Sequence, residues 1–299
     1  MKKLKRYIRS LIKSFGLCVE KLPELIDYRN IVDDPRIVCS HKYACLGIIN
    51  AHLKDGRTRT GARLVGDADP DMFFLGKYGH LNDVQEYENA YLSVMRNFNR
   101  TNKVITIADY FGLKECEKSD LSKLPAWNKL FPWEIGSVIK KHRAYPGFVE
   151  ENRKKRGGLV VGLNSHNLAE FLSSDQYFRS QARQFFTLAT SIKENGLMRS
   201  NAADGDITAT VLFSGDRYCW CIDGDGNHRA KIAASMNYIS APVRIVRTVN
   251  RDYVSVWPQV ISGLFTEDNA LAVFDKMFNA ETFFAKPSWC SSCEDSPLN

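Results

Sequence analysis

The seven residues Asp223-Gly-Asp-Gly-Asn-His-Arg229 bring two carboxylates, an imidazole and a guanidinium together in one short loop, with Gly224 and Gly226 between them. Glycine lets backbone amides come close to a ligand. Free amides and the dipole at a helix start attract anions, and a neighbouring guanidinium adds a forked, charge-assisted contact. The pattern reads as a grip for phosphate, with the backbone at Gly224, Gly226 and Asn227 and the side chains of His228 and Arg229 as its contacts. Arg229 is the strongest single candidate. His228 can also shuttle a proton, Asp223 or Asp225 can accept one from a substrate, and Asp225 can help hold a magnesium ion. An acidic glycine turn ahead of a helix also arises without any ligand, because Asp and Gly are ordinary turn residues.

The elements that must position this loop follow from periodicity and turn signals. Gln181 to Asn195 repeats Phe185, Leu188, Ala189 and Ile192 on one helical face and is stopped by Gly196. A strand is expected over Ile207 to Phe213, a turn at Gly215-Asp216 and a second strand over Tyr218 to Ile222. After the loop come a helix over Ala230 to Met236 and a strand over Pro242 to Val246.

That order, with Ser191-Ile-Lys-Glu-Asn-Gly-Leu197, Gly226-Asn-His-Arg229 and Ala241-Pro-Val-Arg-Ile-Val246 in their places, resembles the ParB/sulfiredoxin superfamily over residues 180 to 250. The resemblance implies an α+β fold and a nucleoside triphosphate, ATP or CTP with Mg2+, held at the loop. Members of the superfamily use that module as chromosome-partitioning CTPases, ATP-dependent sulfinic acid reductases or kinases of free serine, so the fold leaves the activity open. Sulfiredoxins carry their catalytic cysteine directly before the His-Arg pair, where this chain has Asn227. Partitioning proteins append a helix-turn-helix DNA reader and are disfavoured, since roughly fifty residues with about one convincing helix follow the module in this sequence. The Asp-Gly-x-His-Arg form is most similar to the small-molecule kinases. Glu170 and Glu194 are candidates for the separate glutamate those kinases use, although each also reads as an ordinary solvated helix residue.

Val256-Trp-Pro-Gln-Val260 and the helix opened by Thr266, Glu267 and Asp268 resemble uncharacterised proteins encoded with bacterial surface-polysaccharide enzymes. The expectation is an ATP-dependent kinase acting on a hydroxyl of a sugar, glycan or other small metabolite. The competing expectation is a nucleotide-gated switch that recruits DNA or a protein without turnover.

Four segments are expected: a basic helix at 1–22, an N-terminal mixed α/β domain at 23–156 that supplies the acceptor pocket, the nucleotide module at 157–285, and a tail at 286–299. The charged run Glu151 to Gly158 marks the boundary. Within the first domain Arg36 to Cys39 and Lys103 to Ile107 read as strands and Val84 to Phe98 as a helix. Leu124-Pro-Ala-Trp-Asn-Lys-Leu-Phe-Pro-Trp-Glu134 reads as an ordered aromatic loop, either plugging the space between domains or contacting substrate, with Trp133 and Glu134 its notable residues.

The chain carries 41 Lys and Arg against 34 Asp and Glu, a net charge of +7. Lys2, Lys3, Lys5, Arg6, Arg9 and Lys13 all precede the first acid, Glu20, so the excess is concentrated at one end. With Leu4, Ile8, Leu11, Ile12 and Phe15 opposite them, residues 1–16 suit the surface of an anionic membrane, or packing on the chain's own domain. Nucleic acid, which needs a basic surface, is disfavoured as a partner. The eight cysteines read as cytoplasmic thiols, and Cys290-x-x-Cys293 lacks the second pair that a structural zinc site needs.

Overall fold

The computed structural model describes residues 25–32, 34–40, 47–113, 120–155, 158, 162–198 and 206–284. The expected amphipathic helix at 1–16, the tail from 286, and Cys18, Cys45, Cys116, Cys290 and Cys293 lie outside them. No helix among the described residues is long and apolar enough to cross a membrane.

A mixed six-stranded sheet organises the chain. Its strands are β1 (Ile26–Asp27), β2 (Gly47–His52), β3 (Gly56–Arg57), β4 (Ile207–Ser214), β5 (Arg217–Ile222) and β6 (Ser240–Asn250), in the spatial order β1-β2-β6-β4-β5-β3. β4 and β5 form an antiparallel hairpin closed by Gly215-Asp216, where Gly215 takes the positive φ of 55° that a two-residue turn requires. β6 returns parallel to β4 through the helix α8 (Asn227–Ser235), so β4 is central and its first six residues are buried. The short run from β2 to β3 pairs with β6 at its start and with β5 at its end, and the Trp220 indole donates to the His52 carbonyl at 2.9 Å. One stretch of chain thus touches both flanks of the β6-β4-β5 unit.

Side chains alternate across a strand, so the sheet buries two different faces. Val211, Trp220 and Ile245 point to a core shared with α2 (Pro70–Tyr78), α3 (Val84–Thr101), α7 (Asp175–Asn195) and α8. Leu212, Cys219, Cys221 and Val249 point the other way, against α4 (Ile107–Phe111), the Phe131 to Trp133 loop and α10 (Glu267–Phe278). Each large side chain taken out of water on these faces contributes about 1.5–3 kcal/mol. Cys219 and Cys221 are free thiols packed in that second core, and burial pushes Cys219 up to about 12 and Cys221 well above the usual thiol range.

The helices start where short polar side chains accept orphan amides. Asp69 caps α2 with Pro70 in its first turn, Asp83 caps α3, Ser174 caps α7 and Thr266 caps α10.

Three expectations are corrected. Pro35 presets the first turn of a helix, α1 (Pro35–Ser40), where a strand over Arg36 to Cys39 was expected. Lys103 to Thr106 is not a ladder strand, because Thr106 and Asp109 form a reciprocal capping box that starts α4 at Ile107. The boundary at 156/157 does not divide the core, since strands from 26–57 and from 207–250 share one sheet and one hydrophobic cluster. The charged run there is the end of a helix, α5 (Val138–Lys155), whose Arg153 is buried 5.6 Å over the Phe171 ring. A solvated linker has no such contact.

Candidate functional site

The Asp223 to Arg229 loop joins β5 to α8 as expected, but its first half is tied to the neighbouring strands β4 and β6. The Asp223 carboxylate accepts the Thr210 hydroxyl at 2.7 Å and lies 3.0 Å from the Arg247 guanidinium. The Thr208 hydroxyl donates to the Asp223 carbonyl and accepts the Asp225 amide at 3.1 Å, while the Thr208 amide donates to the Asp225 carbonyl. Gly226 sits in the left-handed region at φ 79°, and a Cβ there would stand 2.5 Å from the Ile207 Cα. Contact with β4 and the positive φ together demand glycine at 226. Asp225 and Gly224 are exposed on the loop.

The second half faces outward into chemistry. No side chain caps α8 at Gly226, and Asn227, His228 and Lys231 line a cleft of about 860 Å³. Arg229, Gly224, Gly226, Asp223 and Asp225 are not among the residues lining that cleft. His228 Nε2 is 3.0 Å from Gln181 Oε1, and the ring meets Phe185 edge-on at 4.4 Å. The same imidazole borders a second hollow of about 790 Å³ along α7, beside Arg179, Arg183, Thr187 and Ser191. His228 therefore stands where two hollows meet.

One turn further along α8, Lys231 is only 4% exposed and bridges Asp69 at 2.9 Å and Asp71 at 2.7 Å. Asp69 uses its remaining capacity on the Thr60 hydroxyl and the first amides of α2, and Asp71 accepts the Tyr91 hydroxyl at 2.8 Å. Burial disfavours the Lys231 charge, but the two carboxylates outweigh it and raise its pKa. Burial likewise opposes ionisation of Asp71, yet the Lys231 charge and the bonds from Lys231 and Tyr91 hold its carboxyl below the usual range.

Arg59 and Lys129 also line the cleft, among Tyr110, Trp127 and Phe131. Arg59 is anchored by Glu134 at 3.0 Å, and Lys129 Nζ lies 4.2 Å over the Tyr110 ring. Burial, then the charges of Arg59 and Lys141, push the Lys129 ammonium down to about 7.

The structure thus brings His228 and Asn227 to the cleft and leaves Asp223, Asp225 and Arg229 off its walls. Of the two glutamates, Glu170 lines the cleft and Glu194 borders a separate small hollow beside Gly79 and Leu81. Trp133 is core, and Glu134 holds Arg59. Lys231, Asp69, Asp71, Arg59 and Lys129 were missed. A lysine inside the otherwise apolar run Ala230 to Ala234 was the available signal for the first of them. Among the described residues no group of three or more His, Cys, Asp or Glu side chains is placed to hold a metal ion, and Asp225, exposed on the loop, is not among the residues that line the cleft.

No family model matches the chain, and neither a curated protein nor a solved structure shows significant similarity to it.

Proposed function

We propose that the protein binds a nucleoside triphosphate, ATP in the first instance, with its phosphates at the start of α8, and transfers the terminal phosphoryl group to a hydroxyl of a sugar or other small metabolite held in the cleft. The observation that carries this reading is the position of His228. It lies at an uncapped helix start where two hollows meet, so a donor along α7 and an acceptor in the cleft can reach one imidazole. Phosphoryl transfer asks a protein mainly for positioning and charge stabilisation, and the bound nucleotide supplies the activated group.

In this reading the amides of Asn227 and His228 and the His228 ring hold phosphate oxygens, and Lys231 is kept rigid by Asp69 and Asp71. Glu170, exposed on the cleft wall, is the carboxylate placed to take the acceptor proton, because Asp71 is already committed to Lys231 and Tyr91.

The test is calorimetric titration of the purified chain with ATP, CTP and GTP in magnesium, followed by a transfer assay over hydroxylated acceptors. ATP binding that weakens about tenfold or more in His228→Ala is expected. Glu170→Gln is expected to bind ATP normally and to lose about 100-fold or more in transfer. No binding of any triphosphate sinks the proposal. Tight CTP binding with no transfer to any acceptor supports a nucleotide-gated switch instead.

A further inference from the structure

The residues around the cleft fall into two groups of different charge. On α8 the Lys231 cation faces two carboxylates, Asp69 and Asp71. Among the aromatic side chains three basic groups, Arg59 and Lys129 on the cleft wall and Lys141 beside them, have the carboxylate of Glu134 as their near countercharge. Asp223 comes no nearer to Arg59 than 3.9 Å and lies closer to Arg247. Among the described residues neither Lys129 nor Lys141 makes an ion pair.

We propose that Arg59 and Lys129 form an anion subsite for one compact oxyanion, a carboxylate or phosphate group, carried by the acceptor. This rests on the reading of the cleft as the acceptor site. The geometry supports it in three ways. Arg59 is held by Glu134 and lies 5.1 Å over the Phe131 ring, so the fork is fixed before any ligand arrives. Tyr110 links the two residues, since its hydroxyl donates to the Arg59 backbone carbonyl at 2.7 Å while its ring carries the Lys129 amine. The walls are aromatic, and low polarity strengthens a charge-assisted contact to an entering anion.

The same crowding gives the subsite a signature. Lys129 is held down by burial and by Arg59 and Lys141, against the weaker opposing pull of Glu134. An oxyanion placed between Arg59 and Lys129 reverses that balance, so an amine that is neutral above about pH 7 takes up a proton as the anion binds.

The experiment titrates the full chain with inorganic phosphate, and separately with malonate, near pH 8.5 in two buffers of different ionisation heat. The wild-type chain is expected to take up most of one proton per anion bound, and the tighter of the two probes names the group. Lys129→Met is expected to weaken binding about tenfold or more and to abolish the uptake. Lys129→Arg, which cannot lose its charge, is expected to keep the affinity and show no uptake. ATP affinity in Lys129→Met should stay within about twofold of wild type, and phosphate should bind equally with ATP present. Anion binding that is absent, or indifferent to Lys129→Met, overturns the subsite. A parallel loss of ATP affinity overturns its assignment to the acceptor. If the phosphate results hold and no nucleotide binds, the nucleotide reading fails and the subsite stands.

Discussion

Lys231 and Lys129 are two enclosed lysines on the walls of one cleft, and they have opposite environments. Lys231 has more negative charge around it than it can neutralise, and its ammonium is held charged. Lys129 sits beside other cations over an aromatic ring, and its ammonium is pushed down to about 7. A buried charge with its partners in place serves the fold, whereas one that lacks them is disfavoured until something else supplies the countercharge. Charge balance therefore separates the residue that builds the site from the residue that waits for a ligand.

The comparison is broken most directly at Lys231. Lys231→Met leaves Asp69 and Asp71 buried without their cation, and a loss of about 3–5 kcal/mol in unfolding free energy is expected from urea denaturation. A loss below about 1 kcal/mol would mean that the triad is not the structural element described above.

The second prediction has the opposite sign. The folded pKa of Lys129 lies below the unfolded value of about 10.4, so the unfolded chain binds more protons between the two. Stability without ligand should therefore rise as pH goes from about 7 toward 10, and Lys129→Met should lack that rise. At pH 7 the variant should be more stable than wild type by on the order of 1 kcal/mol, discounted for partial solvent access, as read from urea midpoints at pH 7 and 9. The smallest effect is expected where a pair is exposed. Arg96 and Asp175 are 61% and 50% exposed, so Arg96→Ala should shift stability by no more than about 0.5 kcal/mol despite the close ion pair.

What the sequence made legible follows the range of the interactions. The hairpin of β4 and β5, the loop and α8 are set by alternation, a two-residue glycine turn and a helix start, all within a few neighbours, and their order was read correctly. The α+β class follows from the same signals. The partners of Lys231 lie 160 and 162 residues away, and no local pattern announces them. Asp223 looked chemical because it stands in an acidic glycine turn, yet Thr210 and Arg247, in two neighbouring strands, claim its carboxylate. Pairing of β2 with β6 was invisible for the same reason, and it dissolved the domain boundary that the charged run at 151–158 suggested.

The doubled engagement of the β2 to β3 stretch bears on how the chain acquires its structure. The β4-β5 hairpin and α8 are sequence neighbours and can form early, but the sheet is complete only when residues 47–57 meet strands about 165 to 195 positions later, with the His52 to Trp220 bond at a separation of 168. Closing so long a loop slows folding. During synthesis β2 must wait with an unsatisfied edge until β6 has left the ribosome, which makes the interval between the two the period in which a growing chain is most exposed to mispairing.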